Sequence, residues 1–102
     1  MFMKVTIPVE AGNAAAKKRT LGPTIGKILG EMKPEAVYFG AENGQRTGYI
    51  FFDMKNPSDI PAVAEPWFLA LNADVAFQPA MKPEDLAAAA PAIKKAAKTY
   101  AR

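Results

Sequence analysis

The sequence contains no histidine and no cysteine among its 102 residues, and it has a single tryptophan. Without histidine or cysteine the chain cannot form a Ser-His-Asp or Cys-His catalytic group, a disulfide framework, or the usual zinc and haem ligand sets. Acid–base catalysis would therefore depend on Asp, Glu, Lys or Tyr. The carboxylates show no clustered spacing typical of a metal site, so the sequence predicts neither a metal nor another cofactor.

Long apolar runs and a strong charge of one sign are also absent. No stretch has the length of a membrane-spanning helix, and the first residues lack the apolar segment and cleavage site of a signal peptide. Because cysteine is missing as well, we expect a cytoplasmic protein. The net charge of +3 is a mild basic bias that does not require a nucleic-acid partner. The length predicts a single domain over residues 1–102.

Hydrophobic periodicity predicts four strands and three helical regions. The strands are expected at 2–9, 35–41, 46–54 and 74–79, and the helices at 14–32, 60–71 and from 83 onward. Asn13 is expected to cap the first helix, and prolines 23, 66 and 91 are expected to break or kink the helices. The order βαββαβ with an extra C-terminal helix predicts a ferredoxin-like α+β fold. Its antiparallel sheet would have the strand order 4-1-3-2, with both main helices on one face.

The pair Asn43-Gly44 between the second and third strands is a strong hairpin signal, because both residues of this turn type need a positive φ. The turn fixes a register in which Tyr49 lies opposite Tyr38 and Phe51 opposite Ala36. One sheet face then carries an apolar core for the helices to cover. It comprises Met3, Val5, Ile7, Val37, Phe39, Ile50, Phe52, Val75 and Phe77.

The opposite sheet face, called the open face below, is predicted to carry Tyr38, Tyr49, Phe51 and Asp53, together with Lys4, Thr6, Ala76 and Gln78. Three neighbouring aromatic rings form a larger apolar patch than a monomer normally exposes. A second copy of the chain, the terminal helix or a nucleic acid could cover it, and we expect the second copy. On a covered face the Asp53 carboxylate needs a partner, and Lys4 is expected to supply it.

Four segments of the chain carry a resemblance to a known family. They are 33–39 (KPEAVYF), 43–47 (NGQRT), 65–68 (EPWF) and 79–86 (PAMKPEDL). With them the sequence resembles short, uncharacterised bacterial proteins similar to the dimeric α+β barrel superfamily. The resemblance implies a homodimer in which two sheets face each other to form a barrel. Other members of that superfamily are isomerases or cofactor-independent monooxygenases, several of which use a histidine that this chain lacks.

The preferred interpretation is a homodimer with a non-catalytic binding or structural role, whose barrel could hold a small apolar or aromatic molecule. Its candidate ligand-binding residues are Lys4, Tyr38, Tyr49, Phe51, Asp53, Glu65, Trp67 and Gln78. The first alternative is an isomerase or monooxygenase in which Glu65 or Asp53 acts as the base and a tyrosine orients the substrate oxygen. The second is an RNA-binding module, because Tyr49 and Phe51 resemble the aromatic pattern on the third strand of an RNA-recognition motif. The match is incomplete, because the first strand carries Thr6 where that motif has a stacking aromatic residue.

Overall fold

The four strands form one antiparallel sheet in a computed structural model that describes residues 1–101. The strands are β1 (Phe2–Ile7), β2 (Ala36–Glu42), β3 (Gln45–Phe51) and β4 (Asp74–Gln78). Their order across the sheet is β2-β3-β1-β4, which read from the other edge is 4-1-3-2. Together with the helices this α+β architecture is consistent with a ferredoxin-like fold.

Five helices are described along the chain. They are α1 (Val9–Lys17), α2 (Leu21–Met32), α3 (Ile60–Leu71), α4 (Pro83–Ala88) and α5 (Ala90–Tyr100), and a short 3-10 turn (Pro57–Asp59) leads into α3. Within residues 1–101, no helix combines the length and the apolar character that crossing a membrane would require.

The β2–β3 hairpin confirms the predicted register. Asn43 and Gly44 both have a positive φ, 54° and 75°, which closes a two-residue turn with the twist that the paired strands need. Tyr38 lies opposite Tyr49 and Ala36 opposite Phe51. Because directly opposed residues share a face, the assignment of side chains to the two faces follows from this turn.

The first helical region differs from the prediction. The chain leaves β1 at Pro8, whose missing N–H prevents a further strand hydrogen bond, and α1 begins at Val9. Asn13 therefore lies within α1 and is not its cap. The break falls at residues 18–20, where Arg19 has a φ of 61°. No break falls at Pro23, because a proline is tolerated in the first turn of a helix, and Pro23 lies in the first turn of α2.

The prolines of the later helices also act differently from the prediction. Helix α3 has the predicted bounds but continues through Pro66 without a break. The C-terminal helical region is divided at Ala89, two residues ahead of the predicted kink, and Pro91 lies in the first turn of α5. A proline at that position removes no hydrogen bond, because the first N–H groups of a helix have no partner within it.

The hydrophobic core lies between the sheet and helices α1–α3. Its larger buried side chains are Met3, Val5, Ile7, Ile28, Ile50, Phe52, Trp67 and Leu71. The helices cover the central strands β1 and β3 but leave part of β2 open. Phe39 was predicted to be a core residue, and it lies on the core face with 61% of its surface exposed.

The C-terminal arm, defined here as residues 79–101, extends away from the rest of the chain. Every residue of α5 is exposed, including Ile93 and Tyr100. The radius of gyration is 17.6 Å, whereas a compact chain of this length has about 13 Å. An amphipathic helix in this position has an apolar side without a covering surface.

Candidate functional site

The open face of the sheet brings together four of the predicted site residues. Lys4 on β1 lies opposite Tyr49 on β3, and Tyr49 lies opposite Tyr38 on β2. Phe51 occupies the same face two residues further along β3. Helices α1–α3 pack on the other side of the sheet, so the Tyr38 side chain remains 64% exposed.

Phe2 is a member of the open face that the sequence interpretation left out. It lies opposite Phe51, and the two ring centroids are 5.1 Å apart. Its ring is also nearly parallel to that of Tyr49, at a centroid distance of 6.4 Å. The alternation that assigned Lys4 and Thr6 to this face also assigns Phe2, so the signal was present in the sequence. Phe2, Tyr38, Tyr49 and Phe51 are called the aromatic cluster below.

A polar network crosses three strands beside the aromatic cluster. The Lys4 ammonium lies 3.2 Å from the Glu42 carboxylate, and the Tyr49 hydroxyl donates a hydrogen bond of 3.3 Å to the same carboxylate oxygen. The predicted pair between Lys4 and Asp53 is wrong, because Lys4 lies opposite Tyr49, four residues before Asp53. Glu42, at the end of β2, was not recognised as a site residue.

The network changes the acidity of Tyr49. Partial burial raises the pKa of the Tyr49 hydroxyl above its usual value, and the charge of Glu42 and the hydrogen bond to it raise this pKa further. The positive charge of Lys4 acts in the opposite direction. The hydroxyl is therefore held in its neutral form, in which it can donate a hydrogen bond.

Two further predicted site residues lie at one end of the open face. Gln78 is opposite Phe2 at the end of β4. Asp53 lies two residues past the end of β3 and lines an open pocket of about 410 Å³ together with Phe51, Glu35 and the first residues of the C-terminal arm. Lys82 on the arm forms an ion pair with Glu35 at 3.4 Å across this pocket. Asp53 is thus beside the aromatic cluster and is exposed.

Glu65 and Trp67 do not belong to this site. Both lie on α3, which packs on the core face of the sheet. Trp67 is 1% exposed and is part of the core, while the Glu65 side chain is exposed to solvent. The continuous helix through Pro66 keeps them on the far side of the sheet from the tyrosines, so they share no site on the open face with them.

Within residues 1–101, no group of three or more acidic side chains is positioned to hold a metal ion. Comparisons of the chain with family models, with curated proteins and with solved structures found no match. The resemblance to dimeric α+β barrel proteins therefore stays a prediction. Two surfaces of the chain are candidates for a function, the open face and the C-terminal arm.

Proposed function

We propose that the protein is a homodimeric, non-catalytic binding protein of the cytoplasm. In this proposal the open faces of two copies pack against each other and enclose a small apolar or aromatic molecule. The partner is a second copy of the chain, related by a two-fold axis, as in most small homo-oligomers.

The aromatic cluster is the observation that carries the proposal. Four aromatic side chains share one sheet face while helices α1–α3 occupy the other. Apolar patches of this kind are typical of interaction surfaces, and aromatic residues are enriched at the centres of protein interfaces. A second sheet placed over this one would remove the rings from water.

The C-terminal arm supports the choice of a second copy as the occupant. It does not fold back over the open face, because α5 is exposed along its whole length. Within the arm, the acidic residues Glu84 and Asp85 lie on α4, and the basic residues Lys94, Lys95 and Lys98 lie on α5. Two such arms lying antiparallel across a two-fold axis would place acidic segments beside basic ones, so the arm complements a copy of itself.

The polar groups of the open face suit a small ligand with few polar atoms. At the edges of the aromatic cluster, the Gln78 amide can donate hydrogen bonds, and the Tyr49 hydroxyl, whose proton is donated to Glu42, can accept one. The charges of Lys4 and Glu42 neutralise each other, so a charged ligand gains little there. An apolar or aromatic molecule fits this surface best, because its apolar area would be buried against the rings.

RNA binding is the second candidate, and the position of Phe2 favours it. RNA-recognition motifs stack bases on aromatic residues of the two central strands, and Phe2 together with Tyr49 and Phe51 supplies three such rings. The charges oppose this function, because Lys4 already pairs with Glu42 and a carboxylate repels phosphate. The homodimer therefore explains the face better.

The enzymatic alternative has lost one of its two candidate bases. Glu65 is on the far side of the sheet, which leaves Asp53 beside Phe51. Asp53 is exposed in a wide, open pocket, so a substrate held there would remain in contact with water.

Native mass spectrometry of the purified protein tests the proposal. We expect a dimer that retains a small molecule, which denaturing conditions release for identification. Phe51→Glu should give an empty monomer, because a dimer would have to bury an unpaired carboxylate. Phe68→Glu is the matched control: Phe68 has a similar exposure of 40% but lies on α3, so this variant should remain a loaded dimer.

A native chain that is monomeric and empty would overturn the proposal. So would dissociation by Phe68→Glu with no effect of Phe51→Glu, since the interface would then lie on the helices. Saturable binding of a short oligouridine that is abolished by Phe2→Ala and by Tyr49→Ala would establish the RNA alternative instead.

A further inference from the structure

A second cavity lies on the core face of the sheet, separate from the open face. Its volume is about 170 Å³, and the side chains of Val5, Ile7, Ile25, Phe39 and Trp67 line it. It exists because the helices stop short of β2, which leaves Phe39 at its rim. A dry apolar cavity of about 150 Å³ is large enough to hold a benzene ring.

Arg46 is the one charged residue that lines this cavity. Its guanidinium lies against helix α1, where a Cβ atom added at Gly12 would come within 2.5 Å of Arg46 Nη1. The same nitrogen donates a hydrogen bond of 3.2 Å to Asn13 Oδ1. Within residues 1–101, no carboxylate forms an ion pair with Arg46. The guanidinium is thus held in place with most of its donors free for an anion.

Trp67 forms part of the inner wall of this cavity and is almost fully buried. The other lining side chains are mostly apolar, so the cavity pairs an apolar interior with one positioned cation at its edge. This combination is typical of a site for an organic acid, whose apolar body and carboxylate need different surroundings.

We propose that this cavity binds a small monocarboxylic acid with an aromatic or short aliphatic body. The body occupies the space between Phe39 and Trp67, and the carboxylate pairs with the Arg46 guanidinium. The site lies on the opposite side of the sheet from the aromatic cluster. It therefore does not depend on the proposed dimer.

Titration with benzoate and with hexanoate tests the proposal directly. Trp67 is the only tryptophan, so its fluorescence reports on this cavity alone. A ligand held by one ion pair and a small apolar body should bind with a dissociation constant of about 1 mM or tighter. Benzamide, the uncharged analogue of benzoate, should bind at least about tenfold more weakly, because it lacks the charge that pairs with Arg46.

Two variants separate the charge of Arg46 from its position. Arg46→Gln removes the charge and should weaken benzoate binding at least about tenfold. Gly12→Ala keeps the charge but forces the guanidinium away from α1, and it should also weaken binding. Lys17→Gln, which removes an exposed cation on the same helix, is the control and should leave the affinity unchanged.

Gly48→Ala tests the cavity itself. Its added Cβ would make ordinary contacts of 3.6 Å with Phe39 and 3.9 Å with Val5, so the variant should fold and melt at or above the native temperature while binding benzoate more weakly. Phe51→Glu, on the open face, should bind benzoate normally even as a monomer. The proposal is wrong if benzoate gives no saturable signal, if benzamide binds equally well, or if Phe51→Glu abolishes binding and Arg46→Gln does not.

Discussion

Residues along each strand alternate between the two faces of the sheet, and the two faces differ in composition and in exposure. The core face carries aliphatic residues such as Met3, Val5 and Ile50, which are buried by α1–α3. The open face carries aromatic rings and the Lys4–Glu42–Tyr49 network. Adjacent residues Ile50 and Phe51 thus differ completely in surroundings, with Ile50 fully buried and Phe51 36% exposed.

This difference separates the residues that stabilise a single copy of the chain from those that the proposed dimer would cover. Burial of the core face stabilises one copy by itself, because its apolar surface is already removed from water. The open face can gain the same stabilisation only when a second molecule covers it. The predictions below test whether the two faces can be changed independently.

The largest expected effect is on the core face. Ile50→Ala should lower the free energy of unfolding by roughly 2–5 kcal/mol, because it leaves a cavity in a fully packed site. Tyr38→Ala on the open face should cost less than about 1 kcal/mol within a single copy, since its ring is already mostly exposed. Urea unfolding followed by circular dichroism measures both.

Repeating these experiments at several protein concentrations sharpens the comparison. The effect of Ile50→Ala should be the same at every concentration, whereas that of Tyr38→Ala should grow as the dimer becomes populated. Equal effects of the two substitutions at high dilution would show that the faces are not independent.

The next largest effect is expected from removing the C-terminal arm. Truncation after Gln78 should leave the β1–β4 sheet folded, with a loss below about 1 kcal/mol from the exposed ion pair of Lys82 and Glu35. The same truncation should raise the dissociation constant of the dimer at least about tenfold, since burying one Leu or Ile side chain contributes about 1.5–3 kcal/mol. Analytical ultracentrifugation measures the dissociation constant. A truncated chain that associates normally would remove the arm from the interface.

The smallest expected effect is on stability at alkaline pH, and it arises from Tyr49. Because its pKa is raised in the folded chain, the stability that this group contributes is complete below the ordinary tyrosine pKa of about 10. This contribution to stability is lost as the pH rises through the pKa that Tyr49 has in the folded chain. Glu42→Gln should lower the Tyr49 pKa and reduce this alkaline loss. Ring-carbon NMR, assigned with Tyr49→Phe, follows the titration, and an unchanged pKa in Glu42→Gln would contradict the network.

The sheet was predictable because its determinants are local. Asn43-Gly44 sets the hairpin register, and alternation then assigns each strand residue to a face. Helix α3 was also predicted with its observed bounds, from periodicity alone. The start of α1 was not, because the cap signal of Asn13 is outweighed by Pro8, which ends the strand five residues earlier.

The site was less predictable because it depends on how far side chains reach. Lys4 pairs with Glu42 on β2 across the intervening strand, and strand position alone does not specify such a diagonal contact. Glu65 and Trp67 were placed at the site only by an expected break at Pro66, and the continuous α3 puts them on the other face. The apolar stripe of α5 predicts a covering surface but does not say to which copy that surface belongs.

Sedimentation equilibrium of the unmodified protein over a dilution series is the most direct test of the central claim. The account predicts a mass of about 22 kDa at micromolar concentration, twice the 11.0 kDa of one chain. It also predicts a shift toward the single-chain mass in Phe51→Glu but not in Phe68→Glu. A constant mass near 11 kDa at every concentration would contradict it, because the open face would then be exposed in the working protein.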